Sequence, residues 1–268
     1  MQLQDTVKIL WNEEQAPSYF KMGLAAPELA RTVTPGQFVM VRVRDSIDPM
    51  LRRPFSIHNL LKDGGNVRGF EILYKVVGKG TQILSELRAG EYLSVLGPLG
   101  NGFTCPRDLQ NVFLIAGGIG IAPLYYLASV LEFIARNTPF WCTLLLGGRS
   151  ADDILCKEAF QMLGVDIKLS TQNGSLGYKG LVTSLLEKEL ASGERPDLIY
   201  ACGPKPMLKE LYHIAAPHDI PCQFSLEAVM ACGFGACMGC AVKGKEKSSK
   251  YPHVCIDGPV FDPRLIEW

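Results

Sequence analysis

The sequence predicts a multidomain β plus α/β fold, with an antiparallel β-barrel first, a parallel-sheet α/β domain next and a small cysteine-rich domain last. Short segments rich in β-branched and aromatic residues, separated by Gly, Pro and Asp, fill the first part of the chain. Strand-like and helix-like segments alternate in the middle part. Five of the nine cysteines lie in the last part, and four of them fall between residues 232 and 255. We expect the domains to span residues 1–104, 105–220 and 221–268.

The barrel is predicted from short strands with alternating residues. In the segment V-M-V-R-V-R at 39–44, the valines alternate with Met and Arg, which is typical of a strand with one buried face. Several such strands with frequent turns favour a small antiparallel barrel. The predicted barrel strands are residues 6–11, 37–44, 70–77 and 91–96.

The middle part is predicted to form a parallel sheet with helices on both faces, because its strands and helices alternate. The predicted strands are residues 112–116, 142–146, 166–170 and 197–201. The predicted helices are residues 123–135, 151–163, 181–190 and 206–214. Ligands of such sheets bind beyond the carboxyl ends of the strands, so we expect a binding site there.

Composition and charge exclude several classes of protein. The chain has 268 residues, and its 27 Lys and Arg balance 27 Asp and Glu, which gives no reason to expect a surface for nucleic acid or an anionic membrane. The N-terminal residues lack a basic stretch followed by an apolar core, so no secretory signal is expected. The apolar stretch 112–131 is long enough to cross a bilayer, but its central glycines and proline favour a strand, a turn and a helix start. We expect a soluble cytoplasmic protein.

The last part, residues 221–268, is too short to bury a core of its own. It contains the cysteine segment and a solvated, lysine-rich run at 243–250. A metal centre often stabilises so small a unit. The odd number of cysteines and their crowding argue against a disulfide framework and favour metal binding.

The cysteine spacing predicts an iron–sulfur centre. Residues 232–240 read C-G-F-G-A-C-M-G-C, a C-x4-C-x2-C pattern, and one more cysteine follows in a separate segment. This is the plant-type spacing of a [2Fe–2S] cluster, and the intervening glycines let backbone N–H groups reach the sulfur atoms. A structural zinc site is an alternative, although zinc frameworks usually pair two C-x2-C knuckles; chance clustering is another. The predicted ligands are Cys232, Cys237, Cys240 and Cys255.

Two glycine-rich segments follow predicted strands of the parallel sheet. The first, A-G-G-I-G-I-A-P at 116–123, precedes a helix, and its glycines would let a pyrophosphate approach the helix N-terminus. The second, C-G-P-K-P-M at 202–207, also follows a strand and opens a helix. Two such strand ends form a crevice suited to a dinucleotide. For the first segment, a tight turn without a ligand is the alternative.

The barrel part contains a second candidate nucleotide site. In R-R-P-F-S-I at 52–57, Arg offers a planar fork for phosphate, Phe can stack on a ring, and Ser can hydrogen-bond a ring heteroatom. Alone, this segment reads as an ordinary strand. The segment G-K-G-T at 78–81 lies at a predicted strand-to-helix junction and offers further N–H groups to a phosphate.

Together these motifs resemble the ferredoxin–NADP reductase superfamily, in which a flavin barrel precedes a pyridine-nucleotide domain. R-P-F-S at 53–56 resembles the flavin motif R-x-[YF]-[ST], and C-G-P-K-P-M resembles the CGPxPM nucleotide motif. Three C-terminal segments narrow the resemblance to the electron-transfer subunits of type B dihydroorotate dehydrogenases. They are S-L-E at 225–227, M-A-C-G at 230–233 and V-C-I-D-G-P-V-F at 254–261.

The resemblance implies FAD, a [2Fe–2S] cluster and NAD+ as co-substrate. The implied FAD-binding residues are Arg53, Pro54, Phe55, Ser56, Leu73, Tyr74, Lys75, Gly80 and Thr81. The implied NAD-binding residues are Gly117, Gly118, Gly120, Pro123, Cys202, Gly203 and Pro204. No catalytic acid, base or nucleophile is needed, since hydride moves between two cofactors. Cys202 is expected near the nicotinamide.

The resemblance also implies an oxidoreductase subunit that works with a partner. A catalytic subunit containing FMN would oxidise dihydroorotate in pyrimidine (UMP) biosynthesis, and this chain would pass the electrons through the cluster and FAD to NAD+. We expect a heterotetramer of two copies of each subunit. Apolar residues around the cysteines, namely Phe234, Met238 and Phe261, are candidate contacts with the partner.

One departure from the family pattern concerns the choice of dinucleotide. Members often carry T-D-D-G-S near the adenine ribose, whereas this chain has T-Q-N-G-S at 171–175. An acid there would favour NAD and an arginine NADP, and Gln172 does neither. We expect NAD, with Arg149 as the candidate contact for a 2′-phosphate.

Two other functions stay open. A related reductase subunit with the same cofactors would couple NAD(P)H to ferredoxin or to sulfide or polysulfide. A zinc-stabilised regulator that binds a nucleotide without catalysis is an alternative of a different class.

Overall fold

The N-terminal part of the computed structural model forms a closed antiparallel barrel, as the sequence predicts. The structure describes residues 3–136, 138–245 and 251–268. The barrel strands are β1 (Leu3–Ala16), β2 (Tyr19–Ala25), β3 (Phe38–Arg42), β4 (Arg53–Asp63), β5 (Asn66–Lys75) and β6 (Tyr92–Leu99). They lie in the order β1-β2-β5-β4-β3-β6. Helix α1 (Pro27–Ala30) follows β2, and helix α2 (Lys79–Glu86) follows β5.

Alternation along β3 gives the barrel two buried faces. Val39 and Val41 belong to the cluster that fills the barrel. Phe38 and Met40 point outward and join the core that the C-terminal part shares with the parallel sheet. The outside of the barrel on this side is therefore an interface within the chain, which explains why the last part needs no core of its own.

The middle part forms an open, mostly parallel sheet. Its strands are β7 (Asn111–Gly117), β8 (Trp141–Gly148), β9 (Asp166–Thr171), β10 (Tyr178–Lys179), β11 (Leu198–Cys202), β12 (Cys222–Ser225) and β13 (Val260–Phe261). They lie in the order β10-β9-β8-β7-β11-β12-β13. Its helices are α3 (Ala122–Ala135), α4 (Lys157–Met162), α5 (Val182–Ala191) and α6 (Lys205–Ala215). The last strand, β13, runs antiparallel to β12 and ties the C-terminal part to the sheet.

One predicted helix is wrong in its extent. Residues 151–163 were expected to form a single helix, but the structure has a 3₁₀ turn at Ala151–Asp153 and then α4. Cys156, just before α4, has a left-handed backbone with φ of 59°, which breaks a continuous helix. The break leaves Asp153 beside the carboxyl end of β8, where it contacts the barrel.

The apolar stretch in the middle of the chain belongs to the core. Within the described ranges, one helical span, Gly118–Ala135, is long and apolar enough to cross a membrane. Leu124, Leu127 and Leu131 on this span are buried in the cluster between the sheet and the barrel. The predicted strand, glycine turn and helix start are confirmed by β7, a 3₁₀ turn at Gly118–Ile121 and α3.

The C-terminal part is mostly irregular. Isolated bridges join Ala241 to His253 and Gly244 to Ile266. In the lysine-rich run at 243–250, Lys243 pairs with Glu267 at 2.6 Å and is well exposed, as expected of a solvated run. Residues 246–250 of that run lie outside the described residues.

Candidate functional site

The cysteine loop, residues 231–240, brings three of the predicted ligands together and meets the fourth. The four sulfur atoms occur as two pairs, Cys240 with Cys255, and Cys232 with Cys237, whose thiols share a hydrogen bond. The Sγ atoms of Cys240 and Cys255 lie 3.2 Å apart and are buried. Near the surface, the backbone N–H of Cys237 donates to the Sγ of Cys232 at 3.4 Å. Among the described residues, no three Cys, His, Asp or Glu side chains already form a site for a metal ion.

Backbone N–H groups favour the thiolate at one end of the loop. Burial alone would raise the pKa of Cys232, but hydrogen bonds from the N–H groups of Phe234, Cys237 and Ala236 and from the Cys237 thiol outweigh it and lower this pKa to about 6. At the buried pair, burial and the neighbouring Cys240 thiol raise the pKa of Cys255 to about 12. Thiolates are the ligands of iron, so a bound metal would have to stabilise the buried anion.

The surroundings of the cysteines are partly exposed and apolar. Phe234 and Met238 are 46% and 61% exposed, and Val229 and Ile256 are also exposed. Phe261 was expected to belong to the same surface, and that prediction is wrong. It lies on β13, pairs with Phe224 on β12 and is buried against Gly258.

The mouth of the barrel gathers the predicted phosphate-binding residues. Arg53 begins β4, and a Cβ built on Gly80 would lie 3.0 Å from its Nε. Gly80 lies in the first turn of α2, and the N–H groups of a first helical turn have no acceptor within the helix. The Thr81 hydroxyl accepts from the N–H groups of Val77 and Gly78 at 2.9 and 3.2 Å, which fixes this turn. A guanidinium and free N–H groups thus meet at one point, which suits an anionic phosphate.

The other predicted flavin residues divide between the two faces of the barrel. Phe55 and Tyr74 point into the barrel, with ring centroids 5.7 Å apart, and both are buried. Pro54 and Ser56 pair with the outward-facing Met40 and Phe38, so they lie on the outer face. The structure therefore does not bring all the predicted FAD residues to one surface.

Leu73 and Lys75 lie at the junction between barrel and sheet. Leu73 joins the core cluster there. The Lys75 ammonium donates to the Tyr19 hydroxyl at 2.6 Å and pairs with the Asp153 carboxylate at 3.2 Å. Tyr19 donates to the same carboxylate, and the N–H of Arg149 donates to its other oxygen at 2.9 Å. This set of contacts ties two barrel strands to the turn that follows β8 of the sheet.

A cavity of about 790 Å³ opens at the carboxyl ends of the sheet strands, next to the barrel. Gly117, Gly118 and Pro204 from the predicted nucleotide segments line it, and so do Tyr19 and Lys75. It is large enough for part of a dinucleotide. Its place matches the expectation that a ligand binds beyond the strand ends.

The two predicted nucleotide segments pack against each other at this cavity. A Cβ on Gly117 would lie 2.6 Å from the Sδ of Met207, and a Cβ on Gly203 would lie 3.1 Å from the N atom of Gly117. A Cβ on Gly120 would collide with the carbonyl oxygen of Cys202. These glycines permit the close approach of β7 and β11. Gly118 instead has φ of 52° and faces the cavity, with the Tyr19 hydroxyl 4.0 Å from a built Cβ.

Two predicted residues lie behind the cavity wall. Pro123 is buried in the first turn of α3. Cys202 is 3% exposed at the end of β11, and burial raises the pKa of its thiol, with the Glu227 carboxylate adding to the effect. A neutral thiol there is suited to packing and hydrogen bonding rather than to nucleophilic attack.

His58, which belongs to none of the predicted motifs, connects two of these sites. It lies on β4, two positions after Ser56, and is buried. Burial lowers its pKa to about 4, so the ring is neutral at pH 7. Its Nδ1 donates to the carbonyl oxygen of Ala122 at 2.8 Å, where α3 begins. The alternation of β4 was the available signal, since it places His58 on the same face as Ser56.

The residues considered for dinucleotide choice also line the cavity. Gln172 and Arg149 both contribute to its wall. Arg149 is 74% exposed, and its Nε lies 3.6 Å from the Asp153 carboxylate. The guanidinium is thus tethered on one side but open to solvent.

Family models match three consecutive regions of the chain. An oxidoreductase FAD-binding domain matches residues 7–103. An oxidoreductase NAD-binding domain matches residues 114–212. The iron–sulfur cluster binding domain of dihydroorotate dehydrogenase B matches residues 227–267.

Two curated relatives carry the name dihydroorotate dehydrogenase B (NAD(+)), electron transfer subunit. The protein from Desulforamulus reducens is 40% identical over 254 residues, which cover 94% of each chain. The protein from Caldanaerobacter subterraneus subsp. tengcongensis is 42% identical over 228 residues, which cover 85% of this chain and 84% of the relative.

Two solved structures are similar over most of the fold. One is an NADH-dependent reduced ferredoxin-NADP oxidoreductase, whose structure is described in connection with flavin-based electron bifurcation. Its TM-score is 0.83 at 30% sequence identity, and the match covers 98% of this chain and 90% of the oxidoreductase chain. A ferredoxin NADP+ reductase from Neisseria gonorrhoeae has a TM-score of 0.65 at 16% identity, over 81% of this chain and 92% of its own. The second likeness concerns the fold alone.

Proposed function

The chain belongs to the dihydroorotate dehydrogenase B (NAD(+)) electron transfer subunits, and we propose that it passes electrons from a catalytic partner subunit to NAD+. The matches to curated relatives confirm the resemblance that the motifs indicated. The chain contains FAD-binding, NAD-binding and iron–sulfur cluster binding domains. It is therefore an oxidoreductase subunit, and a subunit named for electron transfer implies a catalytic partner.

One observation carries this proposal: β4 lies between the cysteine loop and the nucleotide cavity. On one side its neighbour β3 presents Met40 to the core that contains Cys240 and Cys255. On the other side, His58 of β4 holds the start of α3, which follows the glycine turn at the cavity. The order in space is thus cysteines, flavin motif and nucleotide crevice, as a relay requires.

The donor set at the cysteine loop fits a [2Fe–2S] cluster better than zinc. Four thiols arranged as two hydrogen-bonded pairs suit two irons with two protein ligands each. A structural zinc would draw all four sulfur atoms around one centre. Backbone N–H groups aimed at Cys232 match the hydrogen bonds that stabilise metal-bound thiolates. We propose Cys232, Cys237, Cys240 and Cys255 as the ligands.

The remaining site residues are proposals supported by their placement. When bound, a flavin can exchange electrons one or two at a time, whereas nicotinamide accepts a hydride. Arg53, Gly80 and Thr81 would hold the flavin phosphates at the barrel mouth. Pro54 and Ser56 would face the ring system from the outside of β4, and Phe55 and Tyr74 would support that strand from within the barrel. Leu73 and Lys75 would close the junction beside the ring.

The nucleotide would bind in the cavity at the ends of β7 and β11. Gly117, Gly118 and Gly120 would let it approach the backbone, and Gly203 and Pro204 would form the opposite wall. Pro123 and Cys202 would support these two turns from behind. We propose NAD+ rather than NADP+, because Gln172 offers no charge to a 2′-phosphate and the Arg149 guanidinium lies beside the Asp153 carboxylate.

The partner that we propose is an FMN-containing catalytic subunit that oxidises dihydroorotate, in a heterotetramer of two copies of each chain. Electrons must enter this chain from the partner across an interface, and the exposed apolar residues beside the cysteines provide one. These residues are Val229, Phe234, Met238 and Ile256. We further propose a soluble, cytoplasmic complex with no role for nucleic acid or membrane.

The domain boundaries stay a proposal at 1–104, 105–220 and 221–268. The matched regions 7–103, 114–212 and 227–267 fall within these limits. The shared core nevertheless packs the last part on β3 and β6, so we expect the three parts to unfold cooperatively rather than independently.

A second candidate function is electron exchange with ferredoxin instead of a dihydroorotate-oxidising subunit. The ferredoxin-NADP oxidoreductase structure covers 98% of this chain at 30% identity, which favours this candidate over sulfide or polysulfide. Both functions need the same sites in this chain. They differ in the protein that docks beside the cysteines.

The order of the three sites is tested with the purified chain carrying its cofactors. Anaerobic addition of NADH should bleach both the flavin and the cluster absorbance. A chain depleted of flavin but still holding its cluster should leave the cluster oxidised when NADH is added. Equal reduction of the cluster with and without flavin would contradict the proposed relay.

A further inference from the structure

A methionine on β3 fills the space between the cysteine loop and β4. Met40 is fully buried although it faces outward from the barrel. Its neighbours Val39 and Val41 point inward and belong to a different cluster. Met40 is thus a core residue of the interface rather than of the barrel itself.

Met40 contacts the cysteine loop at Gly233. A Cβ built on Gly233 would lie 2.9 Å from the Sδ of Met40 and nearer still to its Cγ. Leu99 flanks the same spot, with its Cδ1 3.3 Å from that Cβ. Gly233 has φ of 83°, a conformation that side chains rarely adopt. The loop backbone therefore rests directly on the thioether, one residue from Cys232.

Met40 also lies beside the flavin motif, which is on the neighbouring strand β4. Its register partner on β4 is Pro54, the second residue of R-P-F-S. Opposite residues of an antiparallel pair project from the same face, with Cβ atoms about 5 Å apart. A single side chain thus spans from the flavin motif to the loop that carries the cysteines.

We propose that Met40 is a positioning residue that sets the separation between the cysteine loop and β4, and thereby the rate of electron exchange between the two sites. This inference rests on the proposed function. An unbranched thioether suits the role because it fills an irregular gap between two backbones. Buried surroundings are close-packed, so shortening the side chain must shift the loop or leave a void.

The first test compares Met40→Ala with Met22→Ala in the chain carrying FAD and the cluster. Met22 is also a fully buried methionine, but it lies on β2 in the barrel interior. Stopped-flow absorbance after NADH addition should show unchanged flavin reduction in both variants. Cluster reduction should slow by roughly ten-fold or more in Met40→Ala and by less than two-fold in Met22→Ala. Met40→Leu, which conserves volume, should lie between wild type and Met40→Ala.

A second readout does not depend on turnover. The EPR spectrum of the dithionite-reduced cluster reports the geometry of its ligands. Its g values should shift in Met40→Ala and stay unchanged in Met22→Ala. Loss of the cluster from Met40→Ala alone would also support the role, since it would mean that the loop needs this side chain.

A double-mutant cycle then tests the contact itself. Gly233→Ala should slow cluster reduction because its methyl group would collide with Met40. Met40→Ala in the same chain should relieve that collision, although not the strain of an alanine at φ of 83°, so the combined effect should be smaller than the product of the two single effects. Independent effects, or an unchanged rate and spectrum in Met40→Ala, would overturn the proposal. Equal slowing in Met22→Ala would overturn it too, because the effect would then be general destabilisation.

These experiments distinguish a failure of the proposed function from a failure of the role proposed for Met40. If the wild-type chain with both cofactors shows no cluster reduction by NADH, the proposed function fails. In that case, the EPR spectra of the dithionite-reduced cluster in Met40→Ala and Met22→Ala still decide whether Met40 positions the loop. If wild-type reduction is normal and the variants match it, only the role of Met40 fails.

Discussion

The sulfur atoms of Cys240 and Cys255 lie 3.2 Å apart in the buried part of the C-terminal lobe. Cys240 ends the cysteine loop, whereas Cys255 follows a separate segment joined by the Ala241–His253 bridge. That bridge and the N–H of Val254, which donates to the carbonyl oxygen of Cys240 at 3.1 Å, hold the two cysteines together. The fold therefore holds the fourth proposed ligand beside the third.

The cluster prediction follows from this pair. Purified anaerobically, the chain should contain about two irons and two acid-labile sulfides. Cys255→Ser should lose or destabilise the cluster while FAD stays bound, because the barrel mouth is built from other residues. Metal analysis, sulfide assay and flavin absorbance measure the three contents.

The matched control is Cys222→Ser. Cys222 is also buried but lies on β12, where its thiol donates to the Ile220 carbonyl oxygen at 3.4 Å. It should keep the full iron content. Stoichiometric zinc without iron in the wild-type chain would instead point to a structural metal site.

Arg53 should matter for flavin and not for NADH. Arg53→Ala removes the guanidinium beside Gly80, and FAD affinity should fall by roughly 1.5–3 kcal/mol if the phosphate contact is buried. Arg68→Ala, an exposed arginine of β5 paired with Asp63, is the control and should leave FAD affinity unchanged. Titration of the flavin-free chain with FAD measures the affinity of both variants. Equal losses of FAD affinity in Arg53→Ala and Arg68→Ala would contradict the proposed phosphate site.

Gly118 should matter for NADH and not for flavin. Gly118→Val would place a side chain in the cavity, and the KM for NADH should rise roughly ten-fold or more through lost phosphate contacts. Gly164→Val carries similar backbone strain, since Gly164 has φ of 74°, but nothing lies within 4 Å of its built Cβ. The control should therefore leave KM near the wild-type value. If FAD content fell with Gly118→Val as it does with Arg53→Ala, the two-site assignment would be wrong.

The sequence predicted the fold class because hydrophobic periodicity and glycine-rich turns are local signals. It missed β2, whose residues Y-F-K-M-G-L-A do not alternate cleanly, although its neighbours in the barrel fix it as a strand. It also joined residues 151–163 into one helix, because a left-handed residue such as Cys156 leaves no mark in the hydrophobic pattern.

The site was predictable where a motif carries the chemistry and unpredictable where contacts are long-range. The cysteine spacing named all four proposed ligands. The role of His58 depends on a carbonyl oxygen 64 positions away. The contact of Lys75 with Asp153 joins residues 78 positions apart. Such contacts arise from domain packing, which periodicity does not encode.

The junction between barrel and sheet should depend on pH through Asp153. Burial opposes its ionisation, but hydrogen bonds from Tyr19, the Arg149 N–H and Lys75 outweigh it and lower the pKa from 3.8 to about 2. Because the folded pKa is depressed, this stabilisation is complete above about pH 4 and is lost as pH falls towards 2.

Asp153→Asn should therefore lower stability at pH 7 by about 1–2 kcal/mol, since it removes the charge that Lys75 and Tyr19 contact. The urea midpoints of wild type and variant should approach each other between pH 7 and pH 3. Glu28→Gln, which removes an exposed carboxylate paired with Arg31, is the control and should show little difference at either pH. If the difference in urea midpoint between wild type and Asp153→Asn stayed the same from pH 7 to pH 3, the charge of Asp153 would contribute nothing to stability.

The relay is tested most directly by NADH absorbance in three mixtures: this chain alone, the FMN-containing dihydroorotate-oxidising subunit alone, and both together. The chain alone should oxidise NADH with artificial acceptors but should not reduce NAD+ with dihydroorotate. Dihydroorotate-dependent NAD+ reduction should appear only when both subunits are mixed, and Cys240→Ser should abolish it. Robust dihydroorotate:NAD+ activity from this chain by itself, or no gain on mixing, would contradict the account.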